Sequence, residues 1–191
     1  MTTARVIATG ADLADEVGFA GVTVSEIARR LGVRTASLYS HVHGSADVQT
    51  GITLLALEEL ADRCATAIAG RAGRDALVAF GDVYRSYATE HPGRYDAARG
   101  PLEPDVAAGS AGPRHSAMMR AMLLGYGLAP TEQTHAIRMI GSFFHGFIAL
   151  ERSGSFSHSS PEPQVSWDHI LDTLDAVLRG MGDTTTTEAP A

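Results

Sequence analysis

The residues best placed to do chemistry lie in one short polar stretch, GVRTASLYSHVHG, residues 32–44. Arg34, Thr35, Ala36, Ser37 and Ser40 are small or hydrogen-bonding groups, with an arginine at the start of the run. A helix entering a groove about 12 Å wide needs that combination. Small side chains let the backbone approach base edges, and an early arginine reaches a base or a phosphate. Within residues 25–43, Arg29, Arg30 and Arg34 oppose only Glu26, so this window is locally basic in a chain whose formal net charge is -7. That total excludes a surface that coats nucleic acid generally and leaves a local patch as the means of contact.

Other arrangements carry less. Glu132 and His135 have the Glu-x-x-His spacing of half a di-iron site, but no second copy exists. His41 and His43 would project about 200° apart on a helix and do not converge on one ion. Cys64, the single cysteine, has no base nearby in sequence and cannot form an internal disulfide. Gly141-Ser142 lacks the strand and the second glycine of a nucleophile elbow. The expectation is therefore a non-enzyme with no catalytic residue, no metal and no cofactor.

The elements that must position the polar stretch are all helical. Residues 4–17 place Val6, Ile7, Leu13 and Val17 on one side, and Gly18 ends them. Thr23-Val24-Ser25-Glu26 is a capping box: Thr23 can accept from the Glu26 amide while Glu26 reaches back to the amide of Thr23. Ile27 and Leu31 point inward from the helix that follows, and Gly32 stops it. With Val33 and Leu38 docking the next short helix, which runs to about Val42, the pair forms a helix-turn-helix. Longer helices are expected over 47–69, 75–90, 114–126, 131–152 (capped by Thr131) and from Ser166 to 181. A short helical piece at 94–99 precedes a loop at 100–113. The predicted class is all-α, with a helix-turn-helix domain at 1–46, a helical domain at 47–182 and a disordered tail at 183–191.

VTVSEIARRLGVRTASLYSHVHGSADV, residues 22–48, resembles the DNA-binding segment of tetracycline-repressor-like (TetR) regulators. HPGRYDAA (91–98) and FFHGFIALERSGSF (143–156) are similar to segments of the subgroup whose C-terminal domain is named for a Trp-His-Gly signature. The resemblance implies a three-helix DNA-binding domain joined to a C-terminal helical domain for ligand binding and dimerisation. It implies that Thr23 and Thr35 contact phosphates or bases and that Arg34, Ala36 and Ser37 face the major groove, with Tyr39 and His41 against the DNA backbone. Two departures stand out: Ser45 occupies the place where the family commonly has a phosphate-touching lysine, and there is no basic N-terminal arm. Each missing phosphate contact predicts weaker binding with a shallower salt dependence, so affinity is expected to be modest and to depend on dimerisation.

One helix-turn-helix reads too few base pairs to be selective, which points to a two-fold dimer on palindromic double-stranded operator DNA. Helix 131–152 is apolar nearly all round, and Gly141, Ser142 and Gly146 permit close approach of another helix. The expected interface is Ile137, Ile140, Gly141, Phe144 and Ile148 with Trp167, Ile170, Leu174 and Leu178. The candidate pocket for a small apolar or amphipathic effector is Phe80, Tyr84, Tyr87, His115, Met118, Met119, Met122, Phe143, His145 and Phe147. The function implied is a ligand-responsive regulator, a repressor by family precedent; the alternative is a helical adaptor or ligand-binding protein without specific DNA binding. With 191 residues, 45% hydrophobic composition and mean hydropathy near zero, no membrane span is expected. The N-terminus has no signal-peptide pattern, and a cytoplasmic address is expected.

Overall fold

A computed structural model of the protein describes residues 1–187, with side chains up to 182. The chain is helical throughout, with no strand among the described residues. It divides into two compact units, Met1–Asp62 with Ser86–Pro113 and Arg63–Arg85 with Arg114 onward. The boundary expected at 46 therefore falls inside the first unit, because residues 86–113 return to pack with the N-terminal helices.

In the first unit, α1 (Thr3–Val17) is capped by Thr2, whose hydroxyl accepts from the Arg5 amide at 3.3 Å. Its stripe of Val6, Ile7, Ala11, Leu13 and Ala14 is buried, while Val17 is exposed. Val22 folds back into the core, and Phe19 packs on its edge. α2 (Val24–Leu31) starts at Thr23 as expected, with the Glu26 amide donating to the Thr23 hydroxyl at 3.2 Å. The reciprocal half of the capping box is not made. Glu26 turns instead to Arg29 one turn on, where Nε donates to its carboxylate at 2.9 Å, because a charged pair outcompetes a neutral amide. Gly32 ends α2 at φ 69°, ψ 29°, a left-handed geometry that glycine adopts without strain, and the Val33 amide closes onto Ala28 O at 3.0 Å.

The next element is a 3₁₀ turn, Thr35–Ser40, and not the longer helix expected to reach Val42. α3 (Ser45–Ile68) begins in this unit, and α4 (Gly73–Glu90) ends in it. α5 (Pro92–Ala97) follows, with proline at the start where its missing N–H costs nothing. The stretch 100–113, expected as a loop, contains α6 (Pro104–Ala108) and the first residues of α7 (Gly112–Leu123).

The second unit is built from α7, α8 (Pro130–Arg152) and α9 (Pro163–Thr187) around the first part of α4. Prolines open α8 and α9, so neither Thr131 nor Ser166 is the cap that the sequence suggested. Phe80, Ile140, Phe144, Trp167, Leu171 and Leu178 form the centre. Gly81 lets α4 come close: a Cβ there would lie 2.9 Å from the Phe144 ring and 3.1 Å from Trp167. Trp167 Nε1 donates to Asp82 at 2.8 Å, which satisfies the indole inside the apolar contact. α9 runs on to Thr187, past the boundary expected at 182, since no breaker intervenes before Pro190 and an established helix gains a bond per added residue. The rest of the expected tail, 188–191, lies outside the described residues.

Candidate functional site

The 3₁₀ turn has three residues per repeat, so side chains three apart share a row. Thr35, Leu38 and His41 form the inward row: Leu38 is fully buried and the other two are half-buried. Arg34, Ser37 and Ser40 form one outward row, with Ala36 and Tyr39 beside it, and all five are exposed. Val33, expected to help dock the turn, is 37% exposed, so Leu38 and Val42 carry the anchoring. The Thr3 hydroxyl donates to His41 O at 3.1 Å, fixing the end of the turn to the start of α1. Ser40 donates to Ser37 O at 3.0 Å, which makes its hydroxyl part of the turn while its oxygen remains an acceptor.

Charge at the site differs from the sequence count. Arg29 is paired with Glu26, and Arg30 with Glu16, whose carboxylate accepts from Arg30 Nη1 at 2.6 Å. These hydrogen bonds hold both carboxyl groups below their ordinary range. Among the described residues Arg34 has no ion pair, so it is the arginine of this window whose charge faces solvent uncompensated. Ser45 stands exposed as the first residue of α3, and Asp47 in the same turn accepts from the His43 amide at 2.9 Å. The surface thus offers one cation, several hydroxyls and a tyrosine 55% exposed. That set can hydrogen-bond base edges and phosphates.

The expected effector residues separate. Phe80, Tyr84, His115 and His145 come together in the second unit, where Tyr84 Oη lies 3.2 Å from His115 Nδ1 and the Tyr84 ring meets those of Phe80 and His145 at 5.1 and 5.7 Å. Phe144, assigned to the interface, joins them at 6.0 Å from Tyr84. Met119 and Met122 are buried in the same unit, and Met118 is half-buried. Tyr87 belongs to the first unit, where its hydroxyl donates to Glu59 at 2.9 Å. Phe147 packs on Phe156 and Trp167, and Phe143 is 46% exposed. One residue of helical rotation, about 100°, separates Phe143 from Phe144 and decides which is inside. An open cleft of about 380 Å³ lies elsewhere, lined by Gly73, Arg74, Asp75, Tyr126 and Arg179. Both of its arginines are committed: Arg74 pairs with Asp172, while Arg179 and the Tyr126 hydroxyl both donate to Asp175.

Of the expected dimer residues, Ile140, Phe144, Ile148, Trp167, Leu174 and Leu178 are each at most 2% exposed within the single chain. Ile137, Gly141 and Ile170 are half-buried. Among the described residues of α8 and α9, the large apolar side chains left in solvent are Phe143 and Leu150 on α8 and Val165 and Val177 on α9. Phe143 and Leu150 sit two turns apart on one face, beside Gly146, where a Cβ would meet nothing within 4 Å. The sequence shows this helix apolar nearly all round and does not show which side faces out.

Cys64 is buried, and burial pushes its thiol up to about 12, which keeps it protonated and unreactive at neutral pH. Among the described residues no three acidic, cysteine or histidine side chains gather as a metal site, and no helix is long and apolar enough to cross a membrane.

Comparison with known proteins agrees with this arrangement. Residues 6–41 match the family described as bacterial regulatory proteins, tetR family, and residues 77–174 match the tetracyclin repressor-like C-terminal domain. An uncharacterized HTH-type transcriptional regulator of Mycobacterium tuberculosis, Rv0681, is 34% identical over 144 residues, covering 73% of this chain and 65% of its own length. The chain thus spans just under two thirds of that relative. YobS of Bacillus subtilis, another uncharacterized HTH-type transcriptional regulator, is 28% identical over 181 residues, covering 94% and 90%. Among solved structures, a TetR variant from Acinetobacter baumannii in complex with minocycline superposes with a TM-score of 0.69 at 19% identity, covering 92% of this chain and 95% of that one.

Proposed function

The chain belongs to the tetR family of bacterial regulatory proteins, and from that premise we propose that it is a ligand-responsive repressor that binds a palindromic operator as a homodimer. The observation that carries this reading is the outward face of the turn Thr35–Ser40: Arg34, Ala36, Ser37, Tyr39 and Ser40 are exposed together while Leu38 anchors them from the core. Arg34, Ala36 and Ser37 read the major groove. Thr23, Thr35, Tyr39, Ser40, His41 and Ser45 line the contact to the DNA backbone. Supporting the dimer are the exposed apolar side chains Phe143 and Leu150 beside Gly146 on α8 and Val177 on α9, with Ile137, Gly141 and Ile170 half-buried. Supporting the effector is the group of Tyr84, His115 and His145 among Phe80 and Phe144, polar handles inside an aromatic setting that suits a small amphipathic molecule. The complex of the A. baumannii variant with minocycline is an instance of such a ligand on this fold. Its binding would release DNA by shifting the population of states that space the two reading turns for the operator.

The test is a gel shift with DNA from around the protein's own gene. A discrete complex that weakens steeply with salt and disappears with Arg34→Ala or Tyr39→Ala is expected. No sequence-specific complex at low salt would return the protein to the adaptor reading.

A further inference from the structure

The first unit carries twelve acidic side chains and six arginines, enough carboxylate to pair every cation. Four arginines are so held. Arg29 is paired with Glu26, Arg30 with Glu16 and Arg99 with Asp96 at 3.7 Å. Arg94 faces Asp12, Glu59 and Asp15, whose Oδ2 lies 3.2 Å from its Nε. The other two, Arg34 and Arg5, have no ion pair among the described residues. Arg34 opens the reading turn. Arg5 is exposed in the first turn of α1, with no acidic residue three or four positions away on its own helix.

The contact of Thr3 with His41 O at 3.1 Å sets the first turn of α1 against the residue that closes the reading turn. Arg5 follows two residues later, about 5 Å away between Cα atoms and about 200° round the helix. Its side chain therefore projects into solvent, and helical side chains lean toward their N-terminus, here the end of α1 that touches the turn. The position is an awkward one for a cation in the free chain. A helix N-terminus carries the positive end of the macrodipole, and the first turn of α1 has no acidic residue to offset it. A polyanion that approaches the turn meets Arg5 without first breaking an ion pair, whereas Arg29 and Arg30 must give up Glu26 and Glu16.

We propose that the first turn of α1 extends the DNA-binding surface beyond the reading turn, with Arg5 neutralising one backbone phosphate there in each protomer. The proposal rests on the operator-binding reading above. Its test is a salt titration by fluorescence anisotropy on the full chain and on Arg5→Gln, Arg5→Lys and Arg99→Gln, with a duplex from around the protein's own gene and one of unrelated sequence. Arg5→Gln flattens the salt slope by about 0.9 per protomer and weakens both duplexes by the same factor, since a phosphate carries no sequence. Arg5→Lys keeps the slope, because a phosphate accepts a point charge as well as a fork. Arg99→Gln removes the same formal charge from a side chain already paired with Asp96, and leaves the slope as it was. An unchanged slope in Arg5→Gln, an equal loss in Arg99→Gln or a loss in Arg5→Lys overturns the proposal. Urea melts without DNA separate the contact from folding: Arg5→Gln unfolds at the same urea concentration or a higher one, as removal of a cation from a helix N-terminus requires. Equal binding of both duplexes by the unaltered chain would sink the operator reading and leave Arg5 to be judged by its slope; binding of neither would sink both.

Discussion

Arg30 is bound to Glu16, fourteen residues before it, with Nη1 donating to Oε1 at 2.6 Å. That pairing, with Arg29 on Glu26, neutralises two of the three arginines flanking the reading turn and leaves Arg34 to supply its charge. Arg34→Ala should therefore weaken operator binding by about 1–3 kcal/mol and flatten the salt slope by about 0.9 for each phosphate that is no longer neutralised. Arg30→Ala should change the slope little. Fluorescence anisotropy from 50 to 200 mM salt measures both, on the order of the range where such slopes are resolved; equal effects of the two substitutions would contradict the assignment.

Ser45 opens α3 in the exposed place where the family commonly has lysine. Ser45→Lys should let each protomer neutralise one more phosphate, steepening the salt slope by about 0.9 per protomer and tightening binding at low salt. The cation sits at a helix N-terminus, so the free protein should lose about 0.3–1 kcal/mol of stability. Salt titration and urea melts read the two effects separately.

Phe143 and Ile140 are one turn apart on α8 with opposite fates, 46% and 0% exposed. Phe143→Glu should convert the proposed dimer to monomer by light scattering without unfolding the chain, since Phe143 is solvent-exposed in the single subunit. Ile140→Ala should cost about 2–5 kcal/mol in urea melts through the cavity it leaves.

Two glycine substitutions should part in the same way. Gly93→Ala places a methyl against backbone that cannot yield and should destabilise by about 1–3 kcal/mol or more. Gly146→Ala meets nothing within 4 Å and should stabilise the isolated helix by about 0.5–1 kcal/mol. If Gly146 packs against a second copy, the same substitution weakens self-association, and sedimentation against concentration reads it.

Cys64 ties stability to alkaline pH. Burial raises its thiol from 9.0 to about 12, so the folded chain holds a proton that the unfolded chain releases. The stabilisation is complete below pH 9 and declines as pH rises toward 12, at about 1.4 kcal/mol per unit. Denaturant melts between pH 8 and 10 should show that fall in the native protein and not in Cys64→Ala, and thiol reagents at pH 8 should label Cys64 only after unfolding.

Several local signals were legible in the sequence, though Thr131 and Ser166 as caps were not among them, and long-range ones were not. Thr23 as a cap, Gly32 as a stop and Leu38 as an anchor depend on neighbours within a turn or two, and each stands where periodicity and turn chemistry put it. Glu26 shows the limit even there, since an arginine three residues on drew its carboxylate away. The pairs Arg30–Glu16 and Arg94–Asp15 join distant residues that no spacing rule connects. The two phenylalanines of α8 show the same boundary: both lie on apolar stripes, and only α9 and α4 determine that Phe144 goes inside while Phe143 stays in water.

The brevity of the reading turn can be restated as a counting problem. Six residues rising about 2 Å each span about 12 Å, three or four base-pair steps at 3.4 Å. Three or four positions with four letters each distinguish about a hundred addresses, against roughly 10⁶–10⁹ competing sites in a genome. In the proposed dimer a second turn squares that number, to about 10⁴, and a fixed distance between the two turns narrows the choice further, so one turn alone names no target.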